Sequence, residues 1–253
     1  MKDYLYTKRY GLAVLTAFLL LIAPMTLMVS HIDLLSSVNE GEGFFFSLLT
    51  NSAGSPGFLI TLAVLCLVSL TLDLTPKQQW QKAVQLGIIL VIGFAAKTGL
   101  KHVTESPRPY TEVLTHQLLI PKPAHFYQLS PHQQDQLITQ VSNQVSPWRT
   151  QHWLGETDYS FPSGHTMFVA ICLVCFGGLF IEHKRYGLAA TLLIWGVAVA
   201  YSRLWIGMHR PIDLVGSAIF VALVYTMLPN FSVWLDTLFD RIESYLPSRE
   251  RGV

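Results

Sequence analysis

Six runs of apolar residues, separated by polar or charged segments, dominate the pattern of this sequence. A helix needs roughly 20 mostly apolar residues to cross the hydrocarbon core of a bilayer. The runs approach or reach that length, and they predict helices over 11–30, 55–72, 83–103, 162–181, 187–208 and 211–235. The pattern therefore predicts an all-α integral membrane protein with six transmembrane helices.

The segments between the runs predict one membrane-embedded domain over 1–253 with a single long loop. Residues 104–160, between the third and fourth helices, are polar and rich in Gln and His. A loop of this length is usually functional or has structure of its own. We expect it to be partly helical, with a short surface helix near 131–145. The final residues, 236–253, predict a short amphipathic helix followed by a loose tail.

The distribution of basic residues predicts the orientation of the helices. Of the 17 Lys and Arg, most lie in the N-terminus, the second-to-third loop, the fourth-to-fifth loop and the C-terminal tail, and residues 31–54, which are predicted to form the first outer loop, hold none. Because cytoplasmic loops are enriched in Lys and Arg, both termini are expected to be cytoplasmic. The first apolar run is longer than a signal-peptide core and lacks a clear cleavage site, which favours a retained helix.

Composition agrees with a membrane protein and limits the possible partners. The chain is 51% hydrophobic and 13% charged, whereas soluble domains average about 25% charged residues. Its net charge is +1, with no block of like charges, so no nucleic-acid partner is predicted. Three cysteines, Cys66, Cys172 and Cys175, lie in apolar runs and are interpreted as buried apolar side chains.

Three polar clusters lie at the outer ends of the predicted helices. They are KHVTESPRP (101–109), PSGH (162–165) and SRLWIGMHRPID (202–213). One isolated Lys or Arg at a span end commonly snorkels to the headgroups. An ionisable residue inside a span is nevertheless a functional hypothesis by default, and the clustering favours that hypothesis.

The cations in these clusters predict an oxyanion ligand beside the start of the fourth helix. They are Lys101, Arg108 and Arg203. The first N–H groups of a helix lack intrahelical partners, and the helix dipole makes that end partly positive, which favours phosphate. Pro162 suits the first helical turn, Ser163 adds a hydroxyl donor, and Gly164 lets an anion approach the backbone.

The histidines supply the chemistry that a phosphate ester would need. A carboxylate at Asp213 that accepts from the Nδ1–H of His209 would leave Nε2 free as a nucleophile. A lone His-x-x-x-Asp pair is more often a structural hydrogen bond, so the surrounding clusters carry this interpretation. His165 is then suited to proton transfer. The acidic residues of the outer loops are scattered, and we predict neither a metal site nor a cofactor.

The three clusters match, in order and spacing, the signature Lys-x6-Arg-Pro, Pro-Ser-Gly-His and Ser-Arg-x5-His-x3-Asp. The chain thus resembles the type 2 phosphatidic acid phosphatase superfamily. The resemblance implies that His209 is the nucleophile that becomes phosphohistidine, that Asp213 orients it, and that His165 is general acid and then base. It implies a set of phosphate-binding residues: Lys101, Arg108, Ser163, Gly164 and Arg203.

The resemblance also implies the substrates and the location. It implies metal-independent dephosphorylation of phosphatidylglycerol phosphate and undecaprenyl pyrophosphate, and extends to phosphatidic acid, lysophosphatidic acid and diacylglycerol pyrophosphate. The expected location is the bacterial inner membrane, with residues 104–160 and the active site on the periplasmic side. The partners are these lipids and the bilayer, and the oligomeric state is not predicted.

Other functions remain open from the sequence. A phosphotransferase would use the same phosphohistidine with a lipid or sugar hydroxyl in place of water. A phospholipid transporter would also use cations, but it needs no His–Asp pair and would place them near the middle of the membrane. An intramembrane protease has no role for the cations. Two further residues are left outside the catalytic set. Lys97 lies one turn before Lys101 and either adds positive charge to the pocket or snorkels to the headgroups. Glu156 either reaches the pocket or is a solvated carboxylate.

Overall fold

The computed structural model describes residues 2–28, 32–55 and 57–229, and this part of the chain contains helices and loops but no β-strand. The helices are α1 Lys2–Ile22, α2 Met25–Met28, α3 Glu40–Ala53, α4 Gly57–Ser69, α5 Pro76–Thr104, α6 Tyr110–His116, α7 Pro131–Val141, α8 Pro147–Thr150, α9 Gly164–Cys172, α10 Gly178–Glu182, α11 Tyr186–Trp205 and α12 Pro211–Met227. A 3₁₀ helix, Pro123–Gln128, precedes α7. A π-helical turn, Leu173–Gly177, joins α9 to α10. The all-α prediction is confirmed for the described residues.

Four helical segments of the described chain are long and apolar enough to cross a membrane. They are Tyr6–Leu27, Pro76–Thr104, Gly164–Glu182 and Tyr186–Trp205, which correspond to the first, third, fourth and fifth predicted spans. The second predicted span, 55–72, is helical over Gly57–Ser69, and the bent pair α3–α4 counts as a fifth span if taken together. Of the sixth, 211–235, the described part is the apolar helix Pro211–Met227. The amphipathic helix expected after residue 235 lies outside the described residues.

Helix α3 corrects the prediction that residues 31–54 form an outer loop. Asn39 caps this helix by accepting a hydrogen bond from the N–H of Glu42 at 2.8 Å. Two carboxylates, Glu40 and Glu42, lie in its first turn, where the helix dipole favours negative charge. These local signals lie outside the apolar runs, so a search for membrane spans does not find them.

Local sequence sets the ends of α5, which carries Lys101. Thr75 and Gln78 form a capping box at its start, where each side chain satisfies a backbone N–H of the first turn. Pro76 follows as the first helical residue. The helix ends at Glu105, whose φ of 43° is left-handed, so the backbone turns away into the segment that carries Arg108.

The continuous helix α9–α10 forms the centre of the bundle. In its most apolar stretch of 18 residues, 78% of the residues are buried inside the protein, whereas the corresponding fraction in α5 is 17%. Helix α1 packs against α10, α11 and α12, which lie far from it in sequence. Lys8 of α1 donates hydrogen bonds to the carbonyls of Tyr225 and Leu228 at the end of α12. The first and last described helices are therefore joined.

The long segment between α5 and α9 folds around an apolar core of its own. Helix α7 confirms the short helix expected near 131–145. Trp153 is fully buried, stacks on Tyr110 with ring centroids 5.0 Å apart, and donates to the carbonyl of Ile206 at 2.7 Å. Arg149 donates to the carbonyls of Leu34 and Trp205. These contacts hold the segment against the end of α11, where Arg203 lies.

Candidate active site

A cavity of about 140 Å³ at one end of the bundle brings the three sequence clusters together. Six of the eight predicted site residues line it: Lys101, Arg108, Gly164, His165, Arg203 and His209. Ser163 and Asp213 are fully buried and lie behind this lining. A larger cavity of about 670 Å³, near Trp80 and Glu182, contains none of the predicted residues.

His209 and Asp213 form the hydrogen-bonded pair expected from their spacing. His209 follows α11, Asp213 lies in the first turn of α12, and Nδ1 is 3.4 Å from Oδ2. The same Oδ2 accepts from the backbone N–H of Arg210 at 2.8 Å and from the hydroxyl of Ser160 at 2.5 Å. Burial lowers the pKa of His209, and Asp213 opposes this shift only in part. The imidazole is therefore neutral near pH 7, the form in which a ring nitrogen is a nucleophile.

His165, in the first turn of α9, lines the same cavity. Helix α3 ends against it, because a Cβ atom built on Gly54 would lie 2.6 Å from Nε2 of His165. Only glycine allows this approach without displacing the ring or the backbone. Both histidines thus reach one cavity, His165 from α9 and His209 from the turn between α11 and α12, as a nucleophile and a proton donor require.

Arg203, near the end of α11, supplies another cation to the cavity. Its side chain is buried, and Nη1 donates to the hydroxyl of Thr50 on α3 at 2.5 Å. Its Nε has no hydrogen-bond partner among the described residues. An unpartnered buried charged group is costly, so this guanidinium is suited to an anionic partner in the cavity that it lines.

The start of α9 differs in one detail from the prediction. The helix begins at Gly164 with Ser163 as its N-cap, so Pro162 precedes the helix and does not lie in its first turn. The Ser163 hydroxyl accepts from the N–H of Thr166 at 3.3 Å, as preferred for a capping serine. The absence of a side chain at Gly164 makes room for Lys97, whose Cδ would lie 3.0 Å from a Cβ there.

Lys101 and Arg108 already have carboxylate partners. Oδ2 of Asp158 lies 2.7 Å from Nζ of Lys101, and Oδ1 accepts from Nη2 of Arg108. Glu156 lies 3.1 Å from the same Nη2. Although burial alone would raise the pKa of Asp158, the two cations lower it to about 2. Asp158 is therefore ionised at any pH near neutrality.

Several contributors lie outside the residues that the sequence singled out. Glu156 and Lys97 both line the cavity, and the side chain of Glu156 is also half exposed to solvent. Thr50, Ser160 and Asp158 contact predicted residues but had no signal, since their pairings join distant segments. Among the described residues, no group of three or more His, Cys, Asp and Glu has the arrangement of a metal site.

Comparison with known proteins decides the family. Residues 82–235 match the family model described as the PAP2 superfamily, and this range includes all eight predicted site residues. The chain belongs to the PAP2 superfamily. The match covers more than half of the chain, so the membership does not depend on the three short clusters alone.

Individual relatives of this PAP2 protein agree with the family. It is 32% identical to phosphatidylglycerophosphatase B of Haemophilus influenzae over 74% of this chain and 81% of that protein. It is 33% identical to phosphatidylglycerophosphatase B of Escherichia coli K12, over 51% of this chain and about half, 52%, of that protein. The undecaprenyl-diphosphatase BcrC of Bacillus subtilis is 31% identical over 42% of this chain and 54% of that protein. These identities show homology to phosphatidylglycerophosphatase B at about 32% over 74% of the chain.

Proposed function

We propose that this PAP2 protein is a lipid phosphatase that dephosphorylates membrane lipid phosphates and pyrophosphates without a metal ion. One observation carries the proposal: His209, His165 and the predicted cations Lys101, Arg108 and Arg203 line one cavity of about 140 Å³. The names of the relatives make phosphatidylglycerol phosphate and undecaprenyl pyrophosphate the first substrates to test. Phosphatidic acid, lysophosphatidic acid and diacylglycerol pyrophosphate present the same terminal phosphate.

In the first half of the proposed mechanism, Nε2 of His209 attacks the phosphorus atom. The N–P bond forms while the P–O bond to the lipid breaks, and protonated His165 gives its proton to the leaving oxygen. Asp213 accepts from Nδ1–H and stabilises the charge that develops on the ring. The donors of Lys101, Arg108 and Arg203 stabilise the negative charge of the transferring group.

In the second half, water replaces the lipid oxygen. Neutral His165 takes a proton from water, the resulting hydroxide attacks the phosphorus, and the N–P bond breaks to release inorganic phosphate and regenerate His209. A phosphotransferase would use the same residues with a hydroxyl acceptor. The two functions therefore differ in their products, free phosphate in one and a new phosphate ester in the other.

Phosphate release from purified, detergent-solubilised protein in EDTA tests this proposal. Phosphatidylglycerol phosphate and undecaprenyl pyrophosphate are offered separately to the wild type, to His209→Ala and to the control His116→Ala. His116 is absent from the lining of that cavity. Release that survives EDTA and disappears only in His209→Ala is expected. Retained turnover in His209→Ala would exclude the phosphohistidine mechanism, and a phosphate ester in place of free phosphate would indicate a transferase.

We also propose six transmembrane helices in a single domain over 1–253, in the bacterial inner membrane, with both termini cytoplasmic and residues 104–160 periplasmic. In support, Lys101 at the end of α5, Gly164 at the start of α9 and Arg203 at the end of α11 lie at one end of the bundle. That end is the outer one in the orientation set by the basic loops.

Cysteine labelling tests the orientation. Glu112→Cys and Lys184→Cys are made singly in a chain whose three native cysteines are replaced. A membrane-impermeant maleimide added to intact spheroplasts should label residue 112 but not residue 184. The reverse pattern would refute the proposed orientation.

A further inference from the structure

Asp158 links the first two cations of the site to each other. Its carboxylate contacts both Lys101 and Arg108, whereas Glu156 reaches only Arg108. In the proposed mechanism these same two cations bind phosphate oxygens. A carboxylate and a phosphate group thus require the same donors.

The two sides of this interaction differ in their freedom to move. The side chains of Arg108 and Lys101 are 1% and 7% exposed, whereas that of Asp158 is 48% exposed. The carboxylate can rotate into solvent, and the cations cannot. Once it has rotated, the main chain still orients the cations, since Nε of Arg108 donates to the carbonyl of Asp158 at 2.7 Å and Nζ of Lys101 to that of Tyr159 at 2.5 Å.

The balance of charge makes displacement the expected response to a phosphate group. Two cations, Lys101 and Arg108, already face two carboxylates, Glu156 and Asp158. A phosphomonoester carries a charge of about −1.5 to −2 near pH 7. A phosphate group that contacts Lys101 and Arg108 would lie beside the carboxylate of Asp158, and the two negative groups would repel each other. Asp158 is the carboxylate that contacts both cations, so its departure frees donors on each of them.

We propose that Asp158 is an intramolecular competitor for phosphate: the lipid phosphate binds by displacing its carboxylate from Lys101 and Arg108, and the return of the carboxylate expels inorganic phosphate. This role rests on the phosphatase function proposed above. Binding that is equally strong in the ground state and the transition state does not raise kcat, whereas product release limits many enzymes. A competitor that weakens the binding of inorganic phosphate therefore favours turnover.

The variant Asp158→Asn, which removes the charge and retains the shape, tests the role. Calorimetry measures the binding of inorganic phosphate to the whole solubilised protein, and steady-state kinetics with phosphatidylglycerol phosphate give KM and kcat. The expected result is a fall of about tenfold in both the dissociation constant for phosphate and KM, without a rise in kcat. Glu105→Gln is the matched control. Glu105 is exposed just after the end of α5, so this substitution also removes one negative charge near Lys101. It should leave the phosphate affinity unchanged.

The opposite result would overturn the role. If Asp158 only positions the cations, Asp158→Asn should raise KM and the dissociation constant for phosphate. An unchanged affinity would exclude competition as well. Asp158→Ser serves in the same assays if Asp158→Asn fails to fold, and Asp158→Glu, which keeps the charge, should bind phosphate within about twofold of the wild type. Wild-type protein that releases no phosphate would refute the proposed function itself, whereas release with an unaltered Asp158→Asn affinity would refute only the competitor.

Discussion

Replacing Arg203 by Lys should separate phosphate binding from folding. The guanidinium contacts Thr50 through Nη1 and retains Nε, which has no partner among the described residues, beside the cavity. A planar guanidinium can engage Thr50 and a phosphate group together, whereas one ammonium group of a shorter reach cannot maintain both contacts. Removing one donor to a developing oxyanion costs about 2.7–4 kcal/mol. We therefore expect kcat/KM to fall by roughly 100-fold or more.

Arg149→Lys is the matched control for this prediction. Arg149 is also buried, but its partners are the carbonyls of Leu34, Ser36 and Trp205, at 2.8, 3.1 and 3.2 Å, and it lies outside the cavity. A lysine there loses some of these hydrogen bonds, each of which contributes roughly 1 kcal/mol or more. Arg149→Lys should lower Tm by several degrees and leave kcat of the folded fraction nearly unchanged.

Two measurements decide the comparison. Phosphate release from phosphatidylglycerol phosphate gives kcat/KM, and a thermal shift in the same detergent gives Tm. Arg203→Lys should reduce the first and leave the second close to wild type, while Arg149→Lys should do the reverse. If Arg203→Lys kept more than a third of the wild-type kcat/KM, bidentate binding of phosphate by Arg203 would be wrong.

Two further predictions follow from close contacts at the site. Gly54→Ala should reduce kcat at least tenfold, because its Cβ would displace His165, whereas Gly99→Ala, whose Cβ would meet nothing within 4 Å, should be active; equal kcat values would refute the contact. Burial, reinforced by Arg203, lowers the pKa of His152 to about 4, while an unfolded chain protonates histidine near 6.5. Between pH 4 and pH 6.5, the unfolded state therefore binds more protons at His152 than the folded state does. The contribution of His152 to the free energy of unfolding should decrease as pH falls from 6.5 to 4, and it should not change with pH above 6.5. Thermal shifts across this range should show a smaller pH dependence in His152→Gln, and an identical slope would contradict the prediction.

The sequence predicted the composition of the site better than its internal contacts. Fixed spacings placed His209 four residues from Asp213, across the start of α12, and the structure brings them within 3.4 Å. The pairing of Asp158 with Lys101 joins residues 57 positions apart, and no local pattern encodes such a contact. Spacing thus predicted the contact between His209 and Asp213, which lie on either side of one helix start. It did not predict the contact between Lys101 and Asp158, which lie on segments that are distant in sequence.

The boundaries of the helices show the same division. Apolar composition found the segments that became α5, α9–α10 and α11, since length and hydropathy are local properties. It extended the second predicted span beyond α4 and overlooked α3, whose start depends on the Asn39 cap. That omission mattered for the site, because Thr50 of α3 contacts Arg203 and Gly54, which caps the end of α3, lies against His165.

The attachment of α1 to α12 has a consequence for how the chain is made. Helix α1 precedes the other described helices in the chain, yet its partners α10, α11 and α12 are the last three of them to be translated. The carbonyls of Tyr225 and Leu228, which accept from Lys8, are translated more than 200 residues later. Helix α1 can therefore complete these contacts only after α10, α11 and α12 have been translated, so its packing in the bundle is a late event in the synthesis of the described chain.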